Sequence, residues 1–373
     1  MSLEEDIKEY ALDIGFDRVG FTSAEPFHRL GQELDERNEM YSWISKNLLQ
    51  LRKVVDPANV LPAGKSVIVL LWDYYKKAIP PEFQGKVGKA YLARPYSKDR
   101  ILPAMIKLFR SFLEKEGMTV KMRPTMPDRQ AAARAGIGFF GRNTFIYAPG
   151  IGSYVAIVSM VVDRELEGET FELEDRCTDK CQKCLEACPT GALYEPFRMN
   201  PLRCVSFHTY GTGNFPMVPA DIPRETRKKM GSWFYGCDVC QDVCPYNSQK
   251  QKLNLPPDAF LEEMASKFTL PRLLLMDDEF YTRKVQPFFF GYIWDKKFLQ
   301  RNAAIVLGNT GDTTAVPHLQ EALENQEEIV REHAAWALGQ IGGAKSRRAL
   351  ELHRESETSF KVREEINMAL EED

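Results

Sequence analysis

The placement of cysteine constrains this chain more than any other feature. Its 373 residues contain eight cysteines, four in "CTDKCQKCLEAC" (177–188), three in "CDVCQDVC" (237–244), and Cys204 between. Both runs end in C-x3-C-P, at Cys188-Pro189 and Cys244-Pro245. In two-cluster ferredoxins three closely spaced cysteines bind one 4Fe–4S cube and the fourth ligates the other. The following proline has no amide proton to donate and helps turn the chain away. This logic predicts one cluster on Cys177, Cys181, Cys184 and Cys244, and a second on Cys188, Cys204, Cys237 and Cys240. None of the eight is left over. Two spacings depart from the ferredoxin run: three residues separate Cys177 from Cys181, and the stretch between Cys204 and Cys237 is long. The alternative is a pair of four-thiolate zinc sites, since CxxC pairs also suit tetrahedral zinc. The paired C-x3-C-P endings favour iron–sulfur, and two adjacent clusters point to electron transfer over a purely structural role.

The surroundings agree with redox chemistry. The N-terminus is charged and amphipathic, and no apolar run approaches the length of a membrane span. A cytoplasmic protein with no membrane contact is expected, and there clustered thiols mean metal or redox sites more often than disulfides. Net charge is −4, from 49 basic and 53 acidic residues. Contact with nucleic acid would therefore need a local patch; the candidates are Arg224, Arg227, Lys228 and Lys229, with Lys345, Arg347 and Arg348.

Along the chain, Ile7, Tyr10, Ala11 and Ile14 repeat at helical spacing before Gly15. "FDRVGFTSA", "KSVIVLLWDYY" and "GSYVAIVSMVVD" read as strands, the last two buried. Ile101, Met105, Leu108, Phe109 and Phe112 form one helical face that ends near Gly117. The expected fold is an α/β (α+β) domain over 1–170. A ferredoxin-like double-cluster insert at 171–255 and a connecting helical segment at 256–295 follow. The last unit is an all-α, HEAT-like repeat domain over 296–373. The repeat is read from Arg301, Arg331 and Arg363, each followed by small apolar residues at helical spacing, the first two units with a Leu-Gly stop. "AGIGFFGRN" contains G-x-G-x-x-G, but a dinucleotide fingerprint needs a strand before it and a helix after it. Here a helix former, "DRQAAARA", comes first.

Four segments together carry a resemblance: "RAGIGFFGRNTFIYAPGIGSYV", "CQKCLEACPTGAL", "RCVSFHTYG" and "YGCDVCQDVCPYN". They resemble the epoxyqueuosine reductase family, which is similar to the reductive dehalogenases. The resemblance covers about 10–250, and some members carry a HEAT extension. It implies two 4Fe–4S clusters and cobalamin without a histidine lower ligand. It also implies reduction of an epoxide on a modified base at the wobble position of a tRNA stem-loop, with electrons from an external donor. The cobalamin contacts it implies are Gly141, Arg142 and Asn143 of the "FFGRN" turn, and Tyr96.

Two departures stand out. Family members usually show Asp-Tyr-His where this chain has Pro95-Tyr96-Ser97, and an Asp-x-x-Pro whose acid protonates the departing oxygen. Here counting back from Pro124 gives Lys121 and counting back from Arg129 gives Met122, neither an acid; the nearest carboxylate is Asp128, the expected catalytic acid, at a place where the family often has an acid as well as the missing one. Pairing with Arg129 or capping a helix is its alternative role. Other readings stay open on this evidence: a paralogue reducing another small molecule or a protein-bound corrinoid, or an electron-relay protein.

Overall fold

Strands that are apolar on both faces must be covered on both faces, and this chain does so with helices. The computed structural model describes residues 2–95, 100–123, 125–168, 171, 176–178, 180–213, 218–289 and 293–371, with backbone alone at 45–48. Strands β1 (Arg18–Ser23), β2 (Ser66–Asp73), β3 (Val120–Lys121) and β6 (Val155–Val162) form one sheet in the order β1-β2-β6-β3. Every pairing is antiparallel, with Val69 opposite both Gly20 and Ser159. Alternate residues of β2 feed two cores. Val67, Val69 and Leu71 pack with Leu30, Leu34 and the alanines of helix Asp128–Arg134. Ile68 and Leu70 pack with Ile7 and Ala11 of helix Leu3–Asp13, and with Leu102, Met105, Phe109 and Leu113 of helix Ile101–Lys115. The domain is thus a three-layer α+β sandwich.

Between helix Asp128–Arg134 and β6 the chain makes a small hairpin, β4 (Phe139–Phe140) with β5 (Ile146–Tyr147). Its turn is closed by the Gly141 amide on the Phe145 carbonyl at 2.8 Å. The glycine run therefore joins a helix to a hairpin, the reverse of what a dinucleotide site requires.

After the cysteine segment, which includes the short hairpin β7 (Leu193–Glu195) and β8 (Arg198–Met199), the chain becomes helical. Helices Lys296–Thr310, Glu328–Ile341 and Phe360–Glu371 stack side by side, with Val316–Ala322 and Gly343–Ser356 behind them. Glycines set the spacing. A Cβ on Gly308 would lie 2.7 Å from Ala337 Cα, and one on Gly339 would lie 2.6 Å from Ala369 Cβ. Only a residue without a side chain allows that approach, and it recurs one repeat apart.

The repeats do not hang free. One apolar core runs from Phe83, Val87 and Leu92 through Phe234 and Tyr235 to Leu299, Ala334 and Ile366, across the expected divisions at 255 and 295. Arg227, 2% exposed, crosses this junction to Glu332 at 2.5 Å and Glu365 at 3.0 Å. Arg224 also pairs with Glu365, and Lys361 reaches Glu332 at 3.0 Å. Two of the basic residues considered for RNA thus tie the repeats to the cysteine segment. Lys228, Lys229, Lys345, Arg347 and Arg348 are exposed.

Candidate functional site

Two short segments with the same backbone pattern present the thiols. In the first, helix Lys183–Glu186 carries Cys184, and the Cys188 amide donates to the Leu185 carbonyl at 3.2 Å. In the second, helix Val239–Asp242 carries Cys240, and the Cys244 amide donates to the Gln241 carbonyl, also at 3.2 Å. The two helices pack together, which brings the end of each run to the start of the other.

By electrostatic neighbour the sulfurs sort into two sets of four, though among the described residues no three of them come together as a site for a single metal ion. Cys184 has Cys244, Cys177 and Cys181 as charged neighbours, and burial together with them pushes its pKa up to about 11. Cys240 lies among Cys237, Cys204 and Cys188, and burial first and those sulfurs second push its ionisation up strongly. Cys237 is raised by burial, with Cys204 and Cys188 again beside it. All eight are free cysteines. The sulfurs of the first set line a cavity of about 110 Å³, shared with Arg142, Lys183, Tyr147 and Tyr246. That is more room than a single ion fills.

The hairpin turn Gly141–Phe145 clasps both sets. Arg142 donates from Nη1 to the Cys181 carbonyl at 3.0 Å. Asn143 donates from Nδ2 to the Cys240 carbonyl at 3.0 Å and to the Tyr147 hydroxyl oxygen at 2.9 Å. Both side chains are buried, so neither is a solvated turn residue nor a helix cap. Gly141, Arg142 and Asn143 line the cavity of the first sulfur set. Tyr96 lies outside the described residues, as does Ser97. A second layer anchors the Cys237–Cys244 loop: the Lys89 amide donates to Asp238 at 2.7 Å, and Asn247 binds the Ser153 amide at 2.8 Å. Sequence reasoning missed Tyr147, Tyr246 and Lys89. The one available signal was the alternation in "FIY", which marks Tyr147 as a strand residue beside the turn.

Asp128 opens the helix that precedes this hairpin. Its carboxyl packs against Ser159 on β6, and burial drives its pKa up to about 7 although the Ser159 hydroxyl and amide favour the charged form. The adjacent Arg129 donates to the Thr144 carbonyl at 2.9 Å, which fixes the start of the helix next to the clasp. Lys121, one of the two residues that counting places where the family acid is missing, pairs with Val161 at the sheet edge. Val161 and Ser159 point to the same face of β6, so Lys121 and Asp128 lie on one side of the sheet.

Comparison with known proteins follows the same division. Residues 176–247 match the family described as "4Fe-4S double cluster binding domain", and 295–371 match "HEAT repeats". The epoxyqueuosine reductase of Bacillus subtilis strain 168 is 32% identical over 383 residues, covering 99% of this chain and 95% of that one. That of Escherichia coli K12 is 28% identical, over 91% of this chain and 89% of its own length. An epoxyqueuosine reductase solved with an epoxyqueuosine-modified tRNA-Tyr stem loop superimposes with a TM-score of 0.83 at 33% identity, covering 99% of this chain and 98% of its own. The Streptococcus thermophilus enzyme superimposes with a TM-score of 0.78 at 26% identity, with the same coverage. With end-to-end agreement in sequence and in fold, the chain belongs to the epoxyqueuosine reductase family.

Proposed function

We propose that this oxidoreductase converts epoxyqueuosine in a tRNA stem loop to queuosine, with two 4Fe–4S clusters and cobalamin as cofactors. The observation that carries this reading is the pair of four-sulfur sets in a chain that matches epoxyqueuosine reductases over its whole length. Cys177, Cys181, Cys184 and Cys244 bind one cluster, and Cys188, Cys204, Cys237 and Cys240 the other. The room within the first set favours a cube over a zinc ion, whose four sulfurs close to ~2.3 Å of the metal.

The chemistry sets the requirements. Two C–O bonds break and a C=C bond forms, so two electrons enter and the oxygen leaves as water after taking two protons. Each cluster passes one electron at a time, and an external donor refills them. An alkoxide is a poor leaving group without a proton. We assign that proton donor to Asp128. A carboxyl whose pKa lies near 7 is both protonated and willing to give up its proton at neutral pH. Arg129 fixes its place relative to the cluster clasp.

Cobalamin, when bound, supplies a strongly reducing cobalt centre, and it rests here on the family resemblance. The side chains of Arg142 and Asn143 do not fit a corrin contact as described, because their hydrogen bonds go to the cysteine loops. Their part is to hold the two sulfur sets in register.

The test is direct. Reduced protein supplied with cobalamin and a stem loop bearing epoxyqueuosine is expected to yield queuosine, and purified protein to retain cobalamin. If the stem loop is untouched while the same preparation reduces a free or protein-bound corrinoid, the substrate assignment falls and the paralogue reading replaces it.

A further inference from the structure

The stretch between Cys204 and Cys237, long for a ferredoxin run, is folded against the first two repeat helices. Helix Val205–Tyr210 starts directly after Cys204, with the His208 amide on the Cys204 carbonyl at 3.0 Å. The carbonyls at the far end of so short a helix have no partner within it. Arg301 and Asn302, both 0% exposed, supply partners from the first repeat. Arg301 donates from Nη2 to the His208 carbonyl at 2.8 Å and from Nη1 to the Thr212 hydroxyl oxygen at 2.9 Å. Asn302 donates from Nδ2 to the Thr209 carbonyl at 2.7 Å. The same nitrogen donates to the Phe234 carbonyl at 2.9 Å, just upstream of Cys237. Asn302 Oδ1 accepts from Arg301 Nε at 3.0 Å and Nη2 at 2.9 Å, so the amide meets the two carbonyls with its nitrogen. Thr209 makes the second join. Its hydroxyl donates to the Ser206 carbonyl at 2.7 Å and accepts from the amide of Gly236, next to Cys237, at 2.8 Å. The repeat frame does not itself require an amide at 302. Counting from Gly308 and Gly339, the next repeat has His333 in that place.

We propose that Asn302 is a positioning residue for the second cluster, clamping the segments that present Cys204 and Cys237 so that the repeat domain is a working part of the electron-transfer site. This rests on the cluster reading above. A cube binds only where its four thiolates are held in place, and groups that fix the ligand loops set how firmly it is kept. The Thr209 and Phe234 carbonyls belong to different loops and share one buried donor. Without it, two buried acceptors each lose a partner, and the loops gain by parting to reach water. The Thr209 hydroxyl ties the same two loops and acts in the same direction.

The test is loss of each cluster in chelator, followed by EPR on the reduced, reconstituted full-length protein. A Cys177→Ser variant, altered in the first set alone, marks which signal belongs to the first cluster. Asn302→Leu, of similar size but with no donor, is expected to lose the second cluster about tenfold faster than wild type and the first at the wild-type rate. Thr209→Val does the same, and Thr209→Ser, which keeps the hydroxyl, restores the wild-type rate. Arg227→Met is the control: it cuts the same interface away from the cysteines and leaves both rates unchanged. Should Asn302→Leu fail to fold, Thr209→Val, which leaves the repeats untouched, decides the matter. The proposal is overturned if either variant folds and holds the second cluster as wild type does. Equal loss of both clusters, or the same loss from Arg227→Met, also overturns it, because the contact would then only hold the fold together. A wild type that takes up no iron removes the cluster reading itself.

Discussion

Replacing Asp128 by Asn separates a proton donor from a helix-capping residue. The amide has the same shape and the same place beside Ser159, but it cannot give up a proton. Burial raises the wild-type carboxyl from 3.8 to about 7. At ~1.4 kcal/mol per pH unit this is a preference of about 4 kcal/mol for the neutral form, an upper bound since the residue keeps some solvent contact. The sign follows from linkage. Between pH 4 and 7 the folded chain holds a proton at this site that the unfolded chain has released, so stability falls as pH rises through that window. Above pH 7 both states are ionised and no further loss occurs. Asp128→Asn should flatten this slope and gain on the wild type by up to about 3 kcal/mol between pH 5 and pH 8. In turnover, the wild-type rate should drop tenfold per pH unit above about 7, as the acid deprotonates. The Asn variant should lose on the order of 10²–10⁴ in rate with its iron content unchanged. The assay is single-turnover conversion of the epoxyqueuosine stem loop from pH 5.5 to 8.5, approximate limits set by the carboxyl's titration, with thermal unfolding across the same range. An Asn variant within threefold of wild type at every pH, with the basic limb intact, would refute the assignment of the acid, by the roughly hundredfold minimum a general acid supplies.

Further outcomes follow from the packing. Arg227→Met leaves Glu332 and Glu365 buried with fewer cations, and should cost about 3–5 kcal/mol in urea unfolding of the repeat region, seen as earlier loss of Trp336 fluorescence protection. Gly308→Val forces a side chain against Ala337 and should destabilise by about 1–3 kcal/mol or more, whereas Gly311→Ala, at a helix end with open space but positive φ, acts only through backbone strain. Asn143→Ala strips the Cys240 carbonyl of a partner and should cost about 1–3 kcal/mol, read as faster bleaching of the iron–sulfur absorbance in chelator.

How much of this was legible in the sequence depends on how far apart the interacting residues lie. Cysteine spacing is local, and from it alone two sets of sulfurs are expected; in the fold Cys184 neighbours Cys177, Cys181 and Cys244, and Cys240 neighbours Cys188, Cys204 and Cys237. The repeats were legible for the same reason, because Gly308 and Gly339 recur with the small residues they pack against. The central sheet was legible as strands but not as antiparallel ones, because a strand buried on both faces reads alike in either direction. The roles of Arg142 and Asn143 were hidden by distance: their carbonyl partners lie 39 and 97 residues away. Arg227 looked like part of a basic surface run because Glu332, which neutralises it, lies 105 residues further on. The proposed proton donor shows the limit most clearly. The sequence marks the loss of a family carboxylate near Lys121 and Met122, while only the fold puts Asp128 on the same side of the sheet as Lys121, in a buried setting that raises its pKa.

Iron and Mössbauer analysis of anaerobically reconstituted protein, wild type beside Cys244→Ala, tests the wiring of the site most directly. Wild type should carry two four-iron cubes. The variant, altered in the second cysteine run, should lose or degrade the cube held by Cys177, Cys181 and Cys184 in the first run and keep the other. Zinc in place of iron, or damage confined to the cube of Cys237 and Cys240, would contradict it.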